Sequence, residues 1–386
     1  MAASQIPPSG TLSPSGEETE APRWWIFHGT GKPRPHLDLA AVLPPPPPWR
    51  SHRGGFPDDL PDAPPYDDDE AGRVLGAAPE FCARWSPLTQ SRQERLSKIN
   101  AALYLRRPLL VTGPPGVGKS VLADQIAREL NLGRVLRWTV SSRSTLRSGL
   151  YDYDPLSQIH DLNLENLQRP PSPDGSSDPG EAALRSSAQR IGNYLRIGPL
   201  GTAFLPHRLP RVLLVDELDK ADHDLVGDLL ALLEHGRYTI PELYRLRSAA
   251  PRITVPTDDP GRTTVVADGE VRCAEFPIVV ITANDERPFP PEFLRRCIPL
   301  RLALPSSEEL AGIVAAHFSG SLPGAAHSVI ADFVRRSAEG SPLAIDQLLN
   351  AVHMATVIEP GAAEPGPEFL QELSAMLWHR LAEPLG

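Results

Sequence analysis

From about residue 88 onward, short uninterrupted apolar runs alternate with segments whose apolar residues recur at helical spacing. The runs are LLVTG (109–113), VLRWTV (135–140), RVLLVDE (211–217), PIVVITAN (277–284) and IPLRLAL (298–304). Runs without polar alternation suit parallel strands covered on both faces. KINAALYLRRP (98–108) reads as a helix that stops at Pro108. A second helix starts near Lys119, with Val121, Leu122, Ile126 and Leu130 largely on one face. Strand and helix patterns alternate, which predicts an α/β core. After Pro305 only helical patterns remain (SSEELAGIVAAHF, HSVIADFVRRSAEG, PLAIDQLLNAVHMATVI, EFLQELSAMLWHRLAE), predicting a small all-helical domain.

Residues 1–85 show neither pattern. PPSG, the run Pro44–Pro48 and the acidic DDLPDAPPYDDDE (58–70) bury too little apolar surface to offset the entropy of ordering the chain. This region is therefore expected to be a largely disordered, Pro-rich tail. RWWIFHGTGKP (23–33) interrupts it with Trp24, Trp25, Ile26 and Phe27 in succession. That island is either packed on the core or a docking strip for a partner or neighbouring subunit. A second low-complexity piece, QRPPSPDGSSDPGEAALRSS (168–187), reads as a mobile surface insertion. The expected organisation is 1–85 N-terminal region, 86–304 α/β nucleotide-binding domain and 305–386 helical domain.

Composition removes several function classes. The net charge of -10 over 386 residues argues against a broad nucleic-acid surface, which would be basic. Cys82, Cys273 and Cys297 are widely spaced and form no C-x-x-C pair, which suits a reducing cytosol. No apolar run approaches the ~18–20 residues of a membrane helix, and no basic-then-apolar leader opens the chain. A cytoplasmic protein without membrane association is expected.

GPPGVGKS, Gly113–Ser120, lies between the first strand and a helix and matches G-x-x-x-x-G-K-[ST]. Gly113, Gly116 and Gly118 let the backbone approach phosphates, and the helix that follows offers them its positive end. Pro114, Pro115, Val117 and Val121 complete the candidate nucleotide-binding stretch. Lys119 would reach the β- and γ-phosphates, and the Ser120 hydroxyl would ligate Mg²⁺. RVLLVDELDKA (211–221) ends a strand in two carboxylates at the sheet edge where ligands bind in such folds. Asp216 would hold Mg²⁺ through water, and Glu217 would deprotonate the water that attacks the γ-phosphate. Asn284 ends the ITAN strand, either to position that water or as a turn residue. Arg295 and Arg296 in FPPEFLRRC are either a cation for the transferring phosphoryl group or a solvated basic pair.

GPPGVGKS, LLVDELD, ITAN and FLRRC, in that order and followed by helices, resemble an AAA+ ATPase. Within that superfamily the chain is most similar to the MoxR-like branch. The further segments that carry this are GPLGTAF, DKADHDLVGDLLALLEHGRYTIPEL and FPIVVITANDERPFPPEFLRRC. The resemblance covers roughly residues 88–358. It implies a P-loop parallel-sheet core with a C-terminal α-helical lid, and ATP and Mg²⁺ as cofactors. It also implies that Asp216 and Glu217 form a Walker B pair, that Asn284 is sensor 1, and that Arg295 or Arg296 is a finger acting in trans. A homo-oligomeric, usually hexameric, ring that remodels a protein client is implied too. YTIPELYRLRSAAPRITVPTDDPGRTTVVADGEVRC (238–273) resembles the β-hairpin insertion of this clade.

One departure is Leu343, in GSPLAID, where such lids usually offer a sensor-2 arginine. Slow hydrolysis or weak lid coupling is the expected consequence. Three readings compete: a remodelling ATPase, a nucleotide-dependent switch or scaffold with little turnover, and a nucleic-acid motor. Glu217 and the arginine pair favour the first, Leu343 favours the second, and the acidic balance opposes the third. Tyr151 and Tyr153 are read either as pore residues gripping a client or as packed side chains. Cys297 is expected to be a packed small residue.

Overall fold

The computed structural model describes residues 21–50, 60–77, 90–168, 189–320, 322–324, 326–339 and 343–358, with a few positions between 368 and 378. Expectations for residues 1–20, for 169–187 and for Cys82 lie outside these residues, as does most of the last helical pattern.

Eleven strands are described: β1 Leu109–Thr112, β2 Leu136–Thr139, β3 Tyr151–Tyr153, β4 Leu195–Ile197, β5 Val212–Asp216, β6 Arg237–Thr239, β7 Arg252–Pro256, β8 Thr263–Ala267, β9 Glu270–Arg272, β10 Ile278–Ala283 and β11 Ile298–Arg301. Five of them form one parallel sheet in the order β11-β1-β10-β5-β2. They are the five apolar runs of the sequence. Successive residues alternate between two buried faces, so neither face tolerates polar residues. Leu110, Leu213, Val215 and Ile281 point into one core with the Leu225–Leu233 stripe of the His223–His235 helix. Leu109, Val111, Leu214 and Val280 point into the other, with the Gln90–Leu105 and Val121–Glu129 helices.

The expected insertion before β10 is a four-stranded antiparallel sheet, β6-β9-β8-β7. Its β8–β9 hairpin turns on Asp268–Gly269, both at positive φ (52° and 70°), as a tight two-residue turn requires. The helices Ser307–His317, Ala326–Glu339 and Ile345–Ile358 enclose a third core around Val314, Phe333 and Val352. Ser306 and Glu309 cap the first of these reciprocally.

The N-terminal region departs from expectation. Residues 21–50 and 60–77 lie on the core, and the disorder expected of 1–85 does not extend over them. Trp25, Ile26 and Phe27 are buried in the second core, which selects the packed reading of that island, while Trp24 stays partly exposed. Two buried polar side chains supply what composition lacks. Asn100 accepts from the Ile26 and Phe27 amides (2.7 and 2.9 Å) and donates to the Phe27 carbonyl (2.7 Å). Glu129 accepts from the His28 and Thr30 amides (2.6 and 2.7 Å). Further along, Tyr66 and Arg137 both donate to buried Asp124 on the Val121–Glu129 helix (2.6 Å each). Residues 21–50 and 60–77 thus form a strap over the core, held chiefly by a few long-range hydrogen bonds and three large apolar side chains.

Candidate active site

The strand ends at Thr112, Asp216 and Ala283 bring GPPGVGKS, Asp216–Glu217 and Asn284 to one edge of the sheet. Gly116 and Gly118 in the loop have φ of 72° and 85°, a region that residues with a Cβ rarely adopt. A Cβ on Gly116 would also fall 2.3 Å from the Ala344 Cβ, so the loop and the helical cluster touch where only glycine fits. The Ile345 amide donates to the Gly116 carbonyl (3.0 Å).

Lys119 is buried. Its ammonium donates to the Gly113 and Pro114 carbonyls (2.9 and 2.8 Å) and to Asn284 Oδ1 (2.6 Å). Burial lowers its pKa, and Asp219, Asp216, Asp285 and Glu217 oppose that shift. Ser120 Oγ donates to Asp216 Oδ1 (2.7 Å), which places a hydroxyl and a carboxylate together as a hard cation requires. Lys119, Ser120, Asp216, Glu217 and Asn284 therefore share one cavity of ≈ 580 Å³, within the range of small-ligand sites. Gly29 and Thr30 of the strap, and Ile345 and Leu349 of the helical cluster, line its far side. The donor set fits a nucleotide triphosphate with Mg²⁺. Among the described residues no group of three or more His, Cys, Asp or Glu side chains offers another metal site.

Three residues not singled out from the sequence organise this edge. Thr282, buried in β10, donates to Asp216 Oδ1 (2.5 Å) and accepts from the Glu217 amide (2.9 Å). Its signal is a hydroxyl inside the apolar run IVVITA. Asp219 is buried and accepts from the Asn284 and Glu286 amides (2.7 and 3.1 Å), so it ties one catalytic-edge loop to the next. Lys220 Nζ donates to Glu217 Oε2 (2.8 Å), and this bond is the main reason its pKa is raised. Glu217 itself adopts the left-handed conformation (φ 60°, ψ 45°), which costs about 1–2 kcal/mol for a residue with a Cβ. Such strain persists where neighbouring contacts enforce it, here the bond from the Glu217 amide to Thr282.

The arginine pair is not at this edge. Arg295 and Arg296 end the Pro291–Arg296 helix, immediately before β11 begins. Arg296 pairs with Glu234, whereas the exposed Arg295 side chain makes no hydrogen bond or ion pair with any described residue. Leu343 is buried in the helical core, so its position brings no cation to the cavity. Arg95, paired with Glu309 across the cavity (3.3 Å), lines it instead.

The tyrosines are packed side chains. Tyr151 is buried, donates to Glu242 (3.0 Å) and lies under the Arg147 guanidinium; burial pushes its phenol up to about 12. Tyr153 bonds Gln158. Cys297 is buried and free, as expected, with its thiol pushed up to about 12 mainly by burial. No helix among the described residues is long and apolar enough to cross a membrane.

The family model described as "ATPase family associated with various cellular activities (AAA)" matches residues 109–304, just over half of the chain.

Proposed function

Because the chain belongs to the AAA family of ATPases, we propose that it binds ATP with Mg²⁺ and hydrolyses it to remodel or assemble a partner protein. It would work in the manner of the MoxR-like branch, as a ring of like subunits, six being the usual number, in the cytoplasm. The observation that carries the hydrolytic reading is the shared edge where Ser120, Asp216, Thr282 and Glu217 are joined by hydrogen bonds, with Lys119 on Asn284.

Lys119 would hold the β- and γ-phosphates, exchanging its carbonyl partners for phosphate oxygens. Ser120 and Asp216 would hold Mg²⁺, which when bound would neutralise negative charge on the phosphates. Glu217 would accept the proton of the attacking water while Asn284 orients it. An arginine from the neighbouring subunit would stabilise the charge that develops on transfer. The MoxR-like assignment is supported by the short Pro199–Ala203 helix from GPLGTAF and the four-stranded insertion before β10.

The test is Glu217→Gln. The variant should bind ATP with wild-type affinity and retain it uncleaved over many wild-type turnover times, read as the ADP fraction of bound nucleotide. Wild-type rates in the variant would remove Glu217 as the base. A second reading, a switch with little turnover, is favoured by buried Leu343 and by the Lys220–Glu217 bond. Wild-type protein that releases less than one phosphate per bound ATP would select it.

A further inference from the structure

Glu217 and Asn284 each have their backbone held by the other's strand. The Glu217 amide, just past β5, donates to Thr282 Oγ1 of β10 (2.9 Å). In return Asp219, on the turn that follows Glu217, accepts from the Asn284 amide just past β10 (2.7 Å). The same oxygen, Oδ2, also accepts from the Glu286 amide (3.1 Å). Asp285, between those two donors, has a φ of 61°, so the chain curls and presents both N–H groups to one carboxylate oxygen. Asp219 is therefore the point where the loop carrying Glu217 and the loop carrying Asn284 are joined.

That joint sets position more than it adds stability. Asp219 is 2% exposed, and its Oδ1 is buried without a hydrogen-bond partner among the described residues. Burying a polar oxygen unpaired costs free energy, and such an atom in a folded protein calls for an explanation. The work of the other oxygen supplies one. Asn284 Oδ1 accepts from the Lys119 ammonium (2.6 Å), so Asn284 is fixed at its side chain by the phosphate loop and at its backbone by Asp219. Asp219 itself sits in the single-turn helix Leu218–Lys220, which begins directly after Glu217. A short covalent path and two amide hydrogen bonds thus fix the separation of Glu217 from Asn284. Both of those residues line the cavity, and Asp219 stands behind them.

We propose that Asp219 is a positioning residue for hydrolysis: through the Asn284 amide it holds the Asn284 side chain at the distance from Glu217 that a water attacking the γ-phosphate requires. It touches neither nucleotide nor water and acts through Asn284. This inference rests on the hydrolytic reading above. A misplacement of about 1 Å in such a pair costs on the order of 10²-fold in rate. The phosphate contacts of Lys119 do not depend on it, so the loss of Asp219 falls on kcat and not on ATP binding.

Steady-state ATP hydrolysis and calorimetric ATP titration of the full chain test it, with thermal melts to check folding. Asp219→Ala should lower kcat by ~10²-fold while ATP affinity stays at the wild-type value. Asp219→Asn still offers an oxygen to both amides and should recover most of the rate. Asp219→Glu keeps the charge but moves the oxygen, and should be as slow as the Ala variant. In an Asn284→Ala background, Asp219→Ala should slow hydrolysis no further, since the side chain it positions is gone. If Asp219→Ala does not fold, the other two variants decide alone: a fast Glu variant or a slow Asn variant would overturn the proposal. Unchanged kcat in the Ala variant, an equal loss of ATP affinity, or full additivity with Asn284→Ala would also overturn it and leave the hydrolytic reading standing. A wild-type chain that binds ATP without hydrolysing it would overturn both.

Discussion

The two edges of the central sheet treat charge in opposite ways. Where the strands end, candidate catalytic side chains are paired within the chain: Lys119 with Asn284, Ser120 and Thr282 with Asp216, Lys220 with Glu217. Where the strands begin, Arg295 is exposed without a described partner and Trp49 stands in solvent. The first edge is organised by one chain alone. The second also holds cations paired within the chain, Arg296 with Glu234 and Arg50 with the Leu233 carbonyl, but leaves the Arg295 side chain without a partner among the described residues. Leu343 brings no cation to the cavity, and Arg295 lies at the other edge.

The strap spans both edges, because Gly29 and Thr30 line the cavity and Pro44–Arg50 reaches the arginine pair. Phe27→Ala, in its fully buried segment, should therefore cost the most, ~3–5 kcal/mol of stability by urea denaturation. A loss under ~1 kcal/mol would mean that the strap contributes little to the fold.

Lys119→Ala should lower ATP affinity by ~10²–10³-fold, the cost of losing a charge-assisted contact to phosphate. Calorimetric titration would read this directly. Unchanged affinity would remove GPPGVGKS as the phosphate site and leave the paired edge without its function.

A third test concerns pH. Burial, with Arg211 assisting, takes His207 from about 6.5 in the unfolded chain to about 4. Its ring also faces Asp259 and Asp62, which act the other way. The folded state resists protonating this ring, so its contribution is complete above pH ~6.5 and is lost as the pH falls toward 4. The loss amounts to roughly 2–3 kcal/mol at pH ~4.5. His207→Asn should flatten that decline in part, because His28 is lowered to about 4 as well. An unaltered acid slope in the variant would refute the assignment.

Lys220→Gln should have the smallest effect. An exposed pair contributes ~0–1 kcal/mol, so kcat should change by less than ~5-fold in either direction. A larger change would mean that the ammonium sets the position of Glu217, and the paired edge would then be under active restraint.

The sheet and most helices were legible because their signal is local. Strands covered on both faces need continuous apolar residues, and RVLLVDE and PIVVITAN carry that requirement in themselves. GPPGVGKS was legible for a similar reason, since its glycines are fixed by backbone geometry. The strap was not, because Asn100 and Glu129 capture it from about 70 to 100 positions away. No window of sequence contains both partners. Thr282 and Asp219 were hidden in the same way: each matters through a backbone amide delivered by another segment. The arginine pair was visible as a motif, yet the pairing of Arg296, and not of Arg295, among the described residues depends on Glu234 from a different helix.

In the proposed ring one chain's arginine edge would complete another's nucleotide edge, and a mixing experiment tests this most directly. A protein carrying both Arg295→Ala and Arg296→Ala should bind ATP yet lose the ~10³–10⁵-fold rate contribution of such an arginine. Lys119→Ala subunits should be inactive at ATP concentrations well below their weakened Kd, because they then hold little nucleotide. Mixing the two should restore part of the phosphate release, since each supplies what the other lacks across a shared interface. Wild-type activity should also fall faster than linearly on dilution. No rescue on mixing, together with wild-type turnover strictly proportional to protein concentration, would contradict the account and leave a site that each chain completes alone.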